Sequence, residues 1–182
     1  MLSLVVTLML SAEPVLVVAP FEVGSAVPAD ANLGRAMQSL VEADLKAAGL
    51  QPRTEDDLDA KNWGKIKGAT HVLFGTIAKL GGKMKVSARL VELPNVQVAS
   101  ASLDVGTWNG RQRITTTVLN AFKKPAPLRL DELQVDDALL RAWGDALAAV
   151  HDGDPIVAKQ KVAEVVKRWP AFSPAKERLG QL

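Results

Sequence analysis

The sequence has no cysteine and no tyrosine, and only 4% of its 182 residues are aromatic. Without cysteine there is no disulfide, no thiolate metal ligand and no cysteine nucleophile. The same absence argues against an acylated lipoprotein anchor, although it suits an oxidising envelope and a reducing cytosol alike. Histidine is scarce as well, leaving His71 and His151 alone as imidazole bases or ligands. Zinc sites use three or four protein ligands, so neither a metal nor another cofactor is expected. An excess of one charge is also missing. Lys and Arg number 22 against 20 Asp and Glu, for a formal net charge of +2. That balance, with few rings for base stacking, argues against a dedicated nucleic-acid binder.

What is present is mostly aliphatic. Hydrophobic residues make up 48% of the chain and charged residues 23%, the values of a globular protein. Alanine, valine and leucine must then supply most of the burial, at about 25 cal/mol per Å² of apolar surface removed from water. Residues 1–10, MLSLVVTLML, form a near-continuous apolar run followed by Ser11-Ala12-Glu13-Pro14. The run is too short to cross a bilayer, which takes about 20 apolar residues. It fits the apolar region of a signal peptide, with cleavage after Ala12 and export to the periplasm or beyond. No Lys or Arg precedes it and Leu10 stands where a small residue is preferred; an uncleaved leader would leave the protein cytoplasmic.

Residues 15–21, VLVVAPF, predict a buried strand ended by proline. A loop holding Gly24, Pro28 and Asp30 follows. Apolar residues then recur at Leu33, Met37, Leu40, Val41 and Leu45, which is helical spacing. Asp30 or Asn32 is expected to cap that helix, and Gly49 to stop it. Residues 50–54 read as a short strand and 55–66 as a weaker helix. A strand over 72–78, a Gly81-Gly82 turn, a strand after it, a Pro94-Asn95 turn and a strand over 96–105 make an antiparallel meander. In its middle strand Met84, Val86, Ala88 and Leu90 alternate with Lys83, Lys85, Ser87 and Arg89, so one face is apolar and the other cationic. A helix-like stretch ends at Lys124, and Pro125-Ala126-Pro127 punctuates the chain. Beyond it, helices are predicted over 136–150, from Pro155 to Trp169, and from Ser173-Pro174 onward. The organisation expected is a leader at 1–12, an α+β layer domain at 13–124 with a mixed sheet, a linker at 125–130 and a helical segment at 131–182.

Residues 15–105 resemble the domain family shared by the TolB amino-terminal domain, the CsgG curli secretion protein and the LpoB activator of penicillin-binding proteins. The resemblance is carried by VLVVAPF at 15–21, by the helix ending Leu45-Lys46-Ala47-Ala48-Gly49, by GATHVLFGTI at 68–77, and by KVSARLV at 85–91 with the strand opening at Val96. It implies an envelope protein–protein module without catalytic residues. The helical segment at 136–182 resembles a single tetratricopeptide hairpin. Aligning the family's small residue on Ala158 puts its terminal proline on Pro170 and its first-helix small residue on Ala146. Ala149 and Val162 depart from that pattern, standing where bulky aromatics are usual. Since arrays of this kind want about three repeats of about 34 residues, one hairpin must bury its face on the first domain or on another chain. An ordinary helical hairpin fits the same residues.

Individual motifs carry little chemistry. The loop 24–34 lies between a strand and a helix, where phosphates often bind, but it has neither a P-loop nor a dinucleotide fingerprint. Glu55, Asp56, Asp57 and Asp59 crowd a predicted helix start, and capping explains them. His151 sits at a helix end between acidic turn residues. No G-x-S-x-G elbow is present and no nucleophile can be nominated. The most suggestive surface is the stripe Lys79, Lys83, Lys85 and Arg89, with Lys65 and Lys67 as candidate additions. It would suit an acidic partner, or would simply deter strand-to-strand aggregation. These features together predict a non-catalytic cell-envelope adaptor or assembly subunit that binds a protein partner. Homo-oligomerisation is compatible with an exposed hairpin face. A small-ligand or nucleotide-binding regulatory domain and a structural subunit of a secretion or surface assembly are the alternatives.

Overall fold

The computed structural model describes residues 14–24, 30–55, 66–80, 83–93, 96–105, 108–125 and 135–182. The expected leader, the helix expected at 55–66 apart from its two end residues, both meander turns, residues 25–29 of the loop and most of the linker lie outside the described residues. Among the described residues six strands form one sheet: β1 (Leu16–Val18), β2 (Glu22–Gly24), β3 (Arg53–Thr54), β4 (His71–Leu80), β5 (Lys83–Glu92) and β6 (Val96–Val105). The order is β3-β1-β4-β5-β6, with β2 also paired to β4. Strands β1, β2 and β3 run parallel to their partners, whereas β4, β5 and β6 are antiparallel. The sheet is mixed and the class is α+β, as the alternation of patterns predicts.

The opening strand departs from expectation. Residues 15–21 do not run on as one strand; β1 stops at Val18, and the ladder resumes on β4 only at Glu22. Pro20 has no N–H to give the ladder, which is why the chain leaves it there. Between the two pieces the register slips by one residue, from Val18 opposite Leu73 to Glu22 opposite Thr76. Gly24, expected in a loop, is the last residue of β2.

The described residues include five helices: α1 (Leu33–Ala47), α2 (Arg111–Ala121), α3 (Asp137–His151), α4 (Pro155–Arg168) and α5 (Ser173–Gln181). Leu33, Met37, Leu40, Val41 and Leu45 of α1 lie in the core with Leu73, Ile77, Val86 and Leu90 of the sheet and Ile114 and Val118 of α2. The helical spacing read from the sequence therefore marks the buried face. Gly49 adopts φ +82° and ends α1, with Leu50 N–H donating to the Leu45 carbonyl at 3.0 Å. Asp154 caps α4, accepting from Ile156 and Val157 N–H at 3.0 Å each, and Pro155 opens its first turn.

The carboxy-terminal helices do not stand apart. Leu139, Leu140, Trp143 and Ala146 of α3, Val162 and Val165 of α4, and Phe172 beside α5 belong to the same continuous cluster as the sheet residues. Trp143 and Phe172 meet edge to face at 5.3 Å within it. The hairpin buries its face on the first domain, which is one of the two outcomes its short length requires. Among the described residues no helix is long and apolar enough to cross a membrane.

Candidate functional site

Strand β5 alternates as its sequence dictates. Met84, Val86, Ala88 and Leu90 are buried under the helices, while Lys85, Ser87 and Arg89 point to the opposite face. Register with β4 sets Ala78 beside Lys85, Thr76 beside Ser87 and Phe74 beside Arg89. Arg89 and Thr76 are exposed, and Phe74, Ala78, Lys85 and Ser87 are half-buried. On the other side β6 brings Asp104, Ser102 and Ser100 into register with Lys85, Ser87 and Arg89. Across β4 and β5 that face carries Phe74, Thr76 and Ala78 beside Lys85, Ser87 and Arg89.

The four cations of the predicted stripe are not equivalent. Lys79 pairs with Met84 and is out of phase with Lys85 and Arg89. Lys83 pairs with Leu80 at the strand end, and the side chains of Lys79 and Lys83 lie outside the described residues. Lys65 also lies outside them; Lys67 is exposed in a turn before β4. Lys85 and Arg89 are four positions apart, roughly 13 Å at about 3.4 Å per residue. That exceeds a screening length of about 8 Å in physiological salt. At that spacing the two are separate charges on the strand.

Behind this face a clasp of polar contacts joins the halves of the chain. Asp30, which is wholly buried, accepts from Arg141 of α3, with Nε and Nη2 each 3.0 Å from Oδ1. Asn32 donates its amide to Asp145 at 2.8 Å. Trp143 Nε1 donates to Ser39 Oγ at 3.2 Å, and Trp108 Nε1 donates to Asp137. Asn32 is the residue before α1, yet its side chain makes no capping hydrogen bond. Asn32 does not cap α1 through its side chain as expected, because Asp145 of α3 takes its amide. Gly144 allows the approach: a Cβ there would lie 2.4 Å from the Asn32 carbonyl oxygen. Gly34 does the same for Phe21, whose carbonyl oxygen would be 1.9 Å from an added Cβ.

The clasp also bears on the amino end of α1. The amino end of α1, where the alternative nucleotide-binding reading would put a phosphate, faces Gly144 and the Asp30–Arg141 pair. An anion there would meet a buried carboxylate already holding its cation. His71 and His151 are far apart in role. His71 stands at the start of β4, with Nδ1 3.0 Å from Thr70 Oγ1 and its ring 4.7 Å from Phe122. His151 is exposed at the end of α3. Ala146 and Ala158 are buried, where α3 packs on α4, and Pro170 follows the end of α4.

Sequence reading missed the clasp entirely. Its one local sign is the spacing of Asp137, Arg141 and Asp145, which puts three charged groups along one stripe of α3. A second ion pair it missed joins α1 to α2, with Arg111 Nε 3.0 Å from Asp44 Oδ2 and Arg111 almost wholly buried.

No protein-family model matches the sequence, and no curated protein matches it. Solved structures do. TolB from Acinetobacter baumannii is 15% identical with a TM-score of 0.43; the match covers 60% of this chain and 28% of TolB, so the chain spans about a quarter of that protein's length. The PelC dodecamer from Paraburkholderia phytofirmans is 22% identical with a TM-score of 0.38, over 61% of this chain and 88% of that one. Lipoprotein GNA1162 from Neisseria meningitidis is 16% identical with a TM-score of 0.39, over 77% of this chain and 97% of that one. The likeness to each is a weak one at the level of the fold.

Proposed function

We propose that the chain is a non-catalytic protein of the bacterial cell envelope that acts as a protein–protein adaptor, with the open face of its sheet as a contact surface. The sheet face is the observation that carries this reading. One side of β4 and β5 is sealed by helices, while the other presents Arg89 and Thr76 to solvent beside the half-buried Phe74. An exposed arginine next to an aromatic ring on a rigid strand suits recognition of a carboxylate on a partner protein. The buried Ala146 and Ala158 lie in the hairpin of α3 and α4, and α3 packs on α1 and buttresses it. The occupied amino end of α1 favours this reading over a nucleotide-binding one.

Photocrosslinking from position 76 in the full chain, in a bacterial envelope, tests it. A specific crosslinked protein is expected, and Arg89→Glu should remove it; no specific species, or one indifferent to Arg89→Glu, contradicts the proposal. The envelope assignment rests on the apolar run at 1–10. It predicts a mature chain beginning at Glu13 by intact mass, and an intact Met1 would refute it.

A further inference from the structure

The strand order ends on two edges of opposite character. At one end lies β3, two residues long and opening on Arg53 directly after Pro52. A short strand with a charge and a proline beside it keeps a sheet edge from pairing with other chains. At the other end lies β6, ten residues long, and among the described residues no strand pairs with its outer side. Its sequence, VQVASASLDV, holds no Lys, Arg, Pro or Gly, and Asp104 is its only charged residue. The outward N–H and C=O groups of such a strand are a template for another strand.

The ladder with β5 marks the part of β6 that is regular enough to pair. Its register shifts between Leu90 and Val91, which confines the irregularity to the amino end of β6. From Ala99 to Val105 the register is unbroken, running from Leu90 opposite Ala99 to Met84 opposite Val105. That segment spans roughly 24 Å at about 3.4 Å per residue, and Ser102 is its midpoint. A two-fold axis at Ser102 sets Ser102 opposite Ser102 of a second copy, Ala101 opposite Leu103, Ser100 opposite Asp104 and Ala99 opposite Val105. Odd positions then meet odd and even meet even, so each face of the sheet continues as itself across the junction. The odd positions Ala99, Ala101 and Leu103 are in register with the buried Leu90, Ala88 and Val86, so the helix side stays apolar in both copies. Asp104 falls opposite a serine and not opposite its own copy, so no like charges meet. About six to eight backbone hydrogen bonds close a junction of this length. The strand thus matches itself, which names the occupant. The hairpin face, the other surface the sequence offers for self-association, is buried in the core.

We propose that two copies of the chain pair through β6, antiparallel about a two-fold axis at Ser102, into one continuous sheet. The proposal goes beyond the adaptor reading and does not depend on it, since the edge of β6 is separate from the open face of β4 and β5.

The test is the oligomeric state of the full chain, read by light scattering after size exclusion. The parent chain should have the mass of two copies. Ser102→Lys sets two ammonium groups opposite one another and should raise the dissociation constant about tenfold or more. The chain has no cysteine, so Ser102→Cys supplies a single thiol. Mild oxidation should join two such chains, because facing residues of an antiparallel pair lie within disulfide reach. Gln160→Cys, on the exposed surface of α4, should not crosslink. Far-UV circular dichroism reports whether Ser102→Lys is folded, and the two cysteine variants decide the matter if it is not. A mass of one chain at millimolar concentration overturns the proposal. So does a folded Ser102→Lys that dimerises as the parent does, or no more disulfide from position 102 than from position 160. Arg89→Glu should leave the mass unchanged while abolishing crosslinking at the sheet face, so the two readings fail separately.

Discussion

Arg141 is the side chain through which the carboxy-terminal helices hold the start of α1. Its partner Asp30 has no exposed surface, so removing the cation leaves a carboxylate in a poorly solvated place. Breaking a buried pair by deleting one member costs about 3–5 kcal/mol. Arg141 keeps over a third of its side chain exposed, and water reaching the gap moderates the loss. Arg141→Ala should therefore destabilise by about 2–3 kcal/mol in urea unfolding. Asp30→Asn in the same background should recover part of it, because a neutral amide needs no counter-charge. Thr115 of α2 is the opposite case. It is fully buried, and its hydroxyl has no hydrogen-bond partner among the described residues. Thr115→Val keeps the shape and deletes an unsatisfied polar group, so a gain of about 1 kcal/mol is expected. A loss of similar size would show that the hydroxyl is satisfied after all.

At the scale of elements, helix contacts depend on how closely backbones can approach. Replacing glycine by alanine inside a helix ordinarily gains up to about 1 kcal/mol. At Gly144 the new methyl would meet the backbone of Asn32, which cannot swing aside as a flexible side chain could. Overpacking of that kind costs about 1–3 kcal/mol. Steric cost wins, and Gly144→Ala should lower the thermal midpoint. Gly180 lies in α5 with open space where a Cβ would go. Gly180→Ala should leave the midpoint unchanged or raise it, and the pair of variants separates packing from propensity. Most elements were legible for reasons that are themselves local. The apolar spacing of α1, the alternation of β5 and the Asp154-Pro155 start of α4 each report a nearest-neighbour preference. Asn32 has the local chemistry of a cap, yet its side chain, like that of Asp30, is held by α3. Their actual partners, Arg141 and Asp145, stand 111 and 113 residues away. No local pattern encodes a contact at that distance. The strand at 15–21 was overextended because β-branched residues favour pairing, whereas the missing N–H of Pro20 decides where pairing stops.

At the scale of the molecule, sequence punctuation and packing point different ways. Pro125-Ala126-Pro127 reads as a joint between two units, yet the core runs unbroken from the sheet through α1 into α3, α4 and Phe172. The polar clasp lies across the same boundary. If the halves share one core, the hairpin stiffens α1, and α1 in turn backs the sheet face that is proposed to meet a partner. On the cationic surface, the alternation of β5 puts Lys85 and Arg89 on one face, whereas the pairing of β4 with β5 is a register the sequence does not contain. Cooperative unfolding is the most direct test of this single body. Urea unfolding followed by far-UV circular dichroism and by tryptophan fluorescence samples both halves, through Trp108 on one side and Trp143 and Trp169 on the other. Superimposable transitions are predicted; two separated transitions would show the helical segment folding on its own, and would contradict it.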